Sequence, residues 1–202
     1  MAEQRQRPDV ARLVAVLNGP DQRRAIAAAR RLGRAPGPPP VLVSACLLGA
    51  PTRYDGGAKR TAAVDAATRA ASVVPLCPEL LGGLGCPRAA VHFEGRGDGE
   101  AVLEGRGAVE DDAGRDRTAA LVAGARRALA LAQAAGCEQA ILKERSPSCG
   151  CRQVHAASGV VSGRGVFAAL AARAGIACRS EEDVAIAGLP PSPPASGSGD
   201  RG

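Results

Sequence analysis

The sequence predicts an α/β fold: a single domain with a doubly wound, mainly parallel sheet of the Rossmann or flavodoxin kind, with cysteines at the carboxyl ends of its strands. Three observations predict it. Short β-branched apolar runs alternate with helical patterns, as βαβ units do. The chain has 202 residues, 46% of them apolar, enough for one core and too few to argue for two. Cys46, Cys77 and Cys149 each stand where such a run breaks into a Gly- or Pro-punctuated turn. That brings thiols distant in sequence to one sheet edge, where open α/β sheets bind their ligands.

Residues 1–40 predict two short helices, Val10–Leu17 and Gln22–Leu32, split by Asn18-Gly19-Pro20 with Asp21 as N-cap. The stiff linker Ala35-Pro36-Gly37-Pro38-Pro39-Pro40 follows. Of the formal net charge of +6, eight arginines against Glu3, Asp9 and Asp21 place +5 here and leave +1 for the rest. The segment reads as a basic helical extension, either solvated or contacting RNA or a partner, and dispensable for chemistry.

The domain spans residues 41–188. Val41-Leu42-Val43, Val73-Val74-Pro75-Leu76 and Ala140-Ile141-Leu142-Lys143 are its cysteine-bearing strands. Helices are expected over Thr61–Ser72, over Arg117–Ala135, entered past Asp116 or Thr118 and closed by Gly136, and over Val166–Ala174 before Gly175. Ile176-Ala177-Cys178 gives a last short strand. Residues 189–202, rich in Pro, Ser and Gly, form a disordered tail.

Composition excludes several classes. Aromatics make up 1%, so a stacking platform for single-stranded RNA is missing from the core domain, whose partner is instead a small molecule. The N-terminus lacks an apolar signal region and no run approaches the ~20 apolar residues of a membrane span, which predicts a cytoplasmic protein. An odd count of seven cysteines argues for free thiols or metal ligation over a disulfide framework.

Three soft ligands at one crevice suggest a metal centre with an open position. The alternatives are a zinc or thiol-disulfide protein using the Cys149-Gly150-Cys151 pair, three merely buried thiols, or a non-catalytic nucleotide-binding module, although no G-x-x-x-x-G-K-[ST] motif supports the last. Glu79, two residues beyond Cys77, is placed to position or deprotonate water, or else to cap the following segment. Ser146 and Ser148 flank a Pro-rigidified turn where their hydroxyls can bind a carbonyl or developing charge, Ser148 being favoured because it adjoins Cys149. In the loop after Cys46, Tyr54 is the only tyrosine and is able to stack on a base, while Arg53 and Asp55 bind substrate or pair to close the loop.

These residues carry a resemblance. Ser44-Ala45-Cys46-Leu47-Leu48-Gly49 with Arg53-Tyr54-Asp55-Gly56, then Cys77-Pro78-Glu79 with Gly82-Gly83-Leu84 and Pro87-Arg88, then Leu142-Lys143 with Ser146-Pro147-Ser148-Cys149-Gly150 are similar to successive signatures of the domain-of-unknown-function 523 family, which includes thiouracil desulfidases. The resemblance spans Val41 to Asp183, with supporting matches at Asp116, Thr118, Gly124-Ala125 and Gly163-Arg164-Gly165-Val166. It implies a [4Fe-4S] cluster held by Cys46, Cys77 and Cys149, whose fourth iron takes the sulfur of a thiolated pyrimidine. The implied activity is a non-redox, hydrolytic desulfuration that releases sulfide, with Glu79 guiding water. The sequence departs from the family where Ala89-Ala90-Val91-His92 replaces an expected acid by His92, and where Val154-His155-Ala156-Ala157-Ser158 is short.

Overall fold

The computed structural model describes residues 9–187 and bears out the parallel α/β sheet. The tail expected over 189–202 lies outside the described residues. Strands β1 (Val41–Ser44), β2 (Val73–Leu76), β5 (Gln139–Leu142) and β8 (Ala177–Ser180) pair in parallel in the order β2-β1-β5-β8. The first two are buried along their whole length, which is why they read as continuous apolar runs with no alternation. Pro75 is tolerated because β2 is an edge strand, where a missing N–H breaks no ladder.

Side chains leave this sheet alternately towards two cores. Leu42, Val74, Leu76, Ala140 and Leu142 pack on helices α1 (Val10–Leu17), α2 (Gln22–Gly33), α6 (Thr118–Ala134) and α7 (Val166–Arg173). Val41, Val43, Val73 and Ile141 face α3 (Ala62–Ala67) and α8 (Glu181–Ala187) on the other side. Helices on both faces make the sheet doubly wound. Among the described residues no helix is long and apolar enough to cross a membrane.

Local chemistry sets most of these ends. Asp21 caps α2 by accepting from Arg24 N at 2.9 Å, and Thr61 caps α3 by accepting from Val64 N at 3.2 Å. Helix α3 stops well short of the expected Ser72, at the point where the Thr68 hydroxyl donates to Val64 O at 2.7 Å. Asp116 accepts from Thr118 N at 2.7 Å at the start of α6, and Gly136, with φ 69°, closes it.

A second sheet was not anticipated. Strands β3 (Val91–Phe93), β4 (Val109–Asp111), β6 (Gln153–Ala156) and β7 (Gly159–Ser162) pair in the order β4-β3-β6-β7, with only β3 and β6 parallel. Helix α5 (Gly99–Leu103) joins β3 to β4 and packs on α7. These strands have three or four residues, and β7 has no buried residue, so they carry little periodic signal. The N-terminal helices also differ from the separate arm expected of them. Leu17 is fully buried and Ala25, Ala28 and Ala29 of α2 lie in the main core, because an Ala-rich stripe lets α2 approach α6 closely.

Candidate metal centre

Cys46 sits in a 3-10 turn (Ala45–Leu48) that continues β1, Cys77 follows β2, and Cys149 lies in the loop between β5 and β6. All three line one crevice of about 630 Å³ at the carboxyl edge of the parallel sheet. The opposite wall comes from the second sheet, through His92 on β3 and His155 on β6.

Each thiol is held by its surroundings. Helix α4 (Pro78–Leu81) begins directly after Cys77, and the N–H groups of Glu79 and Leu80 turn back onto its sulfur. Close packing against α6 fixes α4: a Cβ on Gly124 would meet Pro78 O at 2.0 Å, so only glycine permits the approach. Cys149 is seated on the start of α7, whose otherwise unpaired N–H groups at Val166 and Phe167 donate to Pro147 O and Ser148 O, both at 2.8 Å. A Cβ on Gly165 would meet Ser148 C at 2.4 Å, which explains the glycine there. The Ser44 hydroxyl accepts from Lys143 N at 3.0 Å and bonds the Cys149 sulfur, joining β1 to β5.

Burial keeps these thiols protonated. It pushes Cys46 up to about 12, helped by the neighbouring Cys77 and opposed by Lys143 and Arg53. Burial and then the Glu79 carboxylate push Cys77 up to about 11. Cys149 is also held well above the ordinary thiol value by burial, the Ser44 bond lowering it and Cys77 and Cys46 raising it. The three sulfurs are thus near enough to feel one another's charge, and a metal that binds them must displace their protons. Among the described residues no three His, Cys, Asp or Glu groups are placed to hold a single metal ion. The donor chemistry, three soft thiols lining one crevice, suits a thiolate-bound metal group.

Glu79 faces the crevice and is only 9% exposed. Both Arg88 Nε, at 2.8 Å, and Nη2, at 2.7 Å, bond its Oε2, leaving Oε1 towards the Ser146 hydroxyl at 3.4 Å. Arg88 is itself buried and donates to Thr52 O at 3.2 Å and Gly85 O at 2.8 Å. Its guanidinium ties the loop after Cys46 to the segment after Cys77. Sequence reasoning missed this anchor, since Pro87-Arg88 gives no local sign of burial. It also missed Glu144, whose Oε1 accepts from the N–H groups of Cys151 at 3.2 Å, Arg152 at 3.1 Å and Gln153 at 2.9 Å and so shapes the loop that carries Cys149.

Of the other expected residues, Ser146 lines the crevice and its Oγ accepts from Ser148 N at 3.1 Å and Cys149 N at 3.2 Å. Ser148 does not line the crevice; its side chain is buried with no hydrogen-bond partner among the described residues, and its backbone is turned to α7. Tyr54 and Arg53 stand at the mouth, the guanidinium 5.3 Å from the ring centroid, and Arg53 pairs with Asp55 at 3.0 Å. Asp55 lies outside the lining and closes its loop by accepting from Gly57 N at 2.9 Å. The C-x-C pair does not make one site. Cys149 faces the crevice, whereas Cys151 lines a separate pocket with Cys178, and every cysteine is a free thiol.

Residues 41–183 match the 2-thiouracil desulfurase family. This chain belongs to that family. A solved structure of a [4Fe-4S]-dependent thiouracil desulfidase, TudS, is similar with a TM-score of 0.62 and 36% identity, covering 72% of this chain and 93% of that one. The uncharacterized protein YbbK of Bacillus subtilis is 37% identical over 149 residues, 71% of this chain and 97% of that protein. The family match explains why the three cysteine motifs occur together in order, and it begins only at Val41, after the N-terminal helices.

Proposed function

We propose that this chain removes sulfur from a thiolated pyrimidine as sulfide, by an iron-sulfur-dependent hydrolysis with no net electron transfer. The observation that carries the reading is the meeting of three strand-end thiols and one buried, Arg-anchored carboxylate in a single crevice, in a chain similar to a [4Fe-4S]-dependent thiouracil desulfidase. Cys46, Cys77 and Cys149 are the residues that would hold the cluster. A cubane bound by three thiolates supplies one iron without a protein ligand, a soft Lewis acid for the thiocarbonyl sulfur.

The remaining work falls to the chain. Arg88 fixes one oxygen of Glu79 and leaves Oε1 as the acceptor for a water proton, so the water is presented to the ring carbon as a nucleophile. Ser146, held by its loop, directs its one hydroxyl proton to Glu79 Oε1 and helps hold that oxygen in place, facing the crevice where Ser148 was expected to. Tyr54, braced by Arg53, offers a ring face at the mouth. The balance is one water consumed, the carbon-sulfur bond replaced by a carbon-oxygen bond, and one sulfide released.

The test is anaerobic reconstitution with iron and sulfide followed by incubation with 2-thiouracil. Uracil and sulfide should form in equal amounts. A cluster-bearing chain that leaves both 2- and 4-thiouracil intact would overturn the reading.

A further inference from the structure

We propose that the N-terminal helix pair is a brace for the metal centre, with Asn18 as a positioning residue for Cys77. The inference rests on the assignment of Cys77 as a cluster ligand and extends it to residues outside the family match. Asn18 ends α1, its own N–H donating to Val14 O at 3.0 Å. Its side-chain amide then spans to the edge strand β2: Nδ2 donates to Pro75 O at 3.1 Å, and Oδ1 accepts from Cys77 N at 2.6 Å.

This pair of contacts is what a further parallel strand would make. One residue of such a neighbour donates its N–H to the carbonyl of one residue and accepts from the N–H two positions on. The outward edge of β2 has few groups to satisfy, because Pro75 has no N–H, and the two that remain at its end are both taken by Asn18. The backbone of a candidate ligand is thereby fixed from outside the sheet. The neighbouring Leu17, fully buried, and the docked face of α2 keep Asn18 in place. Among the described residues no other group receives the Cys77 N–H, so without the brace the end of β2 opens to solvent one residue before the turn into α4 at Pro78.

The test uses the full chain with Asn18→Leu, which removes both contacts to β2 and the side-chain bond to Val14 O at nearly constant size, and Asn18→Asp, which keeps the acceptor for Cys77 N and loses the donor to Pro75 O and Val14 O. Before cluster loading, Asn18→Leu should exchange the Cys77 amide hydrogen about tenfold faster, the factor expected for one lost hydrogen bond of ordinary strength, with the amides of Val10–Leu17 unchanged. After loading, iron should pass to a chelator about tenfold faster. Asn18→Asp keeps the acceptor for Cys77 N but turns a carboxylate oxygen towards Val14 O and Pro75 O, so in both measurements it should fall between the parent and Asn18→Leu. Unchanged Cys77 exchange in Asn18→Leu, or exchange in Asn18→Asp as fast as in a cluster-free unfolded chain, would overturn the brace. If Asn18→Leu fails to fold, Asn18→Asp decides alone, by retaining or losing Cys77 protection. If the parent chain takes up no iron, the proposed function fails, and the exchange comparison still decides the role of Asn18.

Discussion

Replacing Arg88 by Met should destabilise the cluster-free protein by about 3–5 kcal/mol, the usual cost of stranding one member of a buried ion pair. The structure sets the size of the effect. The substitution removes two contacts of 2.7 and 2.8 Å to Glu79 Oε2 and the bonds to Thr52 O and Gly85 O, while Glu79 stays only 9% exposed. Met fills much of the vacated volume, so the loss is electrostatic and polar more than a cavity. For a domain of this size each kcal/mol shifts Tm by about 2–4 °C, which makes the expected drop about 6–20 °C. The assay is urea unfolding at neutral pH for the parent, Arg88→Met, Glu79→Gln and the double variant. Because most of the penalty is the stranded carboxylate, the double variant should be more stable than the sum of the singles predicts, by about 2 kcal/mol of coupling. A loss below ~1 kcal/mol in Arg88→Met, or strict additivity, would refute the reasoning.

Glu79→Gln should load a cluster and bind thiouracil, yet release sulfide about 10²–10⁴-fold more slowly in single turnover, the usual contribution of a positioned base; near-parent rates would reduce Glu79 to a structural partner of Arg88. Cys137, away from the crevice, is one of several buried thiols that shape the alkaline limb of stability, and burial pushes it up to about 12. A thiol raised in the fold stays protonated there while the unfolded chain ionises, so its contribution is present in full below about 9 and is lost as pH rises towards 12. Cys137→Ala should flatten the fall of unfolding free energy in that window by up to about 1.4 kcal/mol per pH unit, measured by denaturant unfolding at several pH values.

Much of the fold was legible because it rests on local signals. The three cysteine-bearing strands are buried on both faces and show as apolar runs, and the helices around Asp21, Thr61 and Gly136 carry their caps in the sequence. The two helices before Val41 are legible in the sequence, but their docking is hidden. Charge and proline content describe a segment's solubility, whereas its attachment depends on Leu17 and on the Asn18 amide reaching residues nearly sixty positions away. Arg88 and Glu144 escaped for the same reason: a charged residue reads as surface until its partners converge from other segments. Ser148 was preferred to Ser146 on adjacency to Cys149 alone, and the turn points the two hydroxyls to different sides. The second sheet was missed because its strands are too short to show a period.

The central claim is that Cys46, Cys77 and Cys149 together hold an iron-sulfur cluster, and it is tested most directly by iron and acid-labile sulfide content after anaerobic reconstitution of single Cys→Ala variants. Loss of cluster is expected in each of Cys46→Ala, Cys77→Ala and Cys149→Ala, because a three-thiolate site has no spare ligand. Cys137→Ala, Cys151→Ala and Cys178→Ala should load as the parent does, since these thiols lie away from the crevice. Full iron content in Cys77→Ala, or loss of the cluster in Cys151→Ala, would contradict the account.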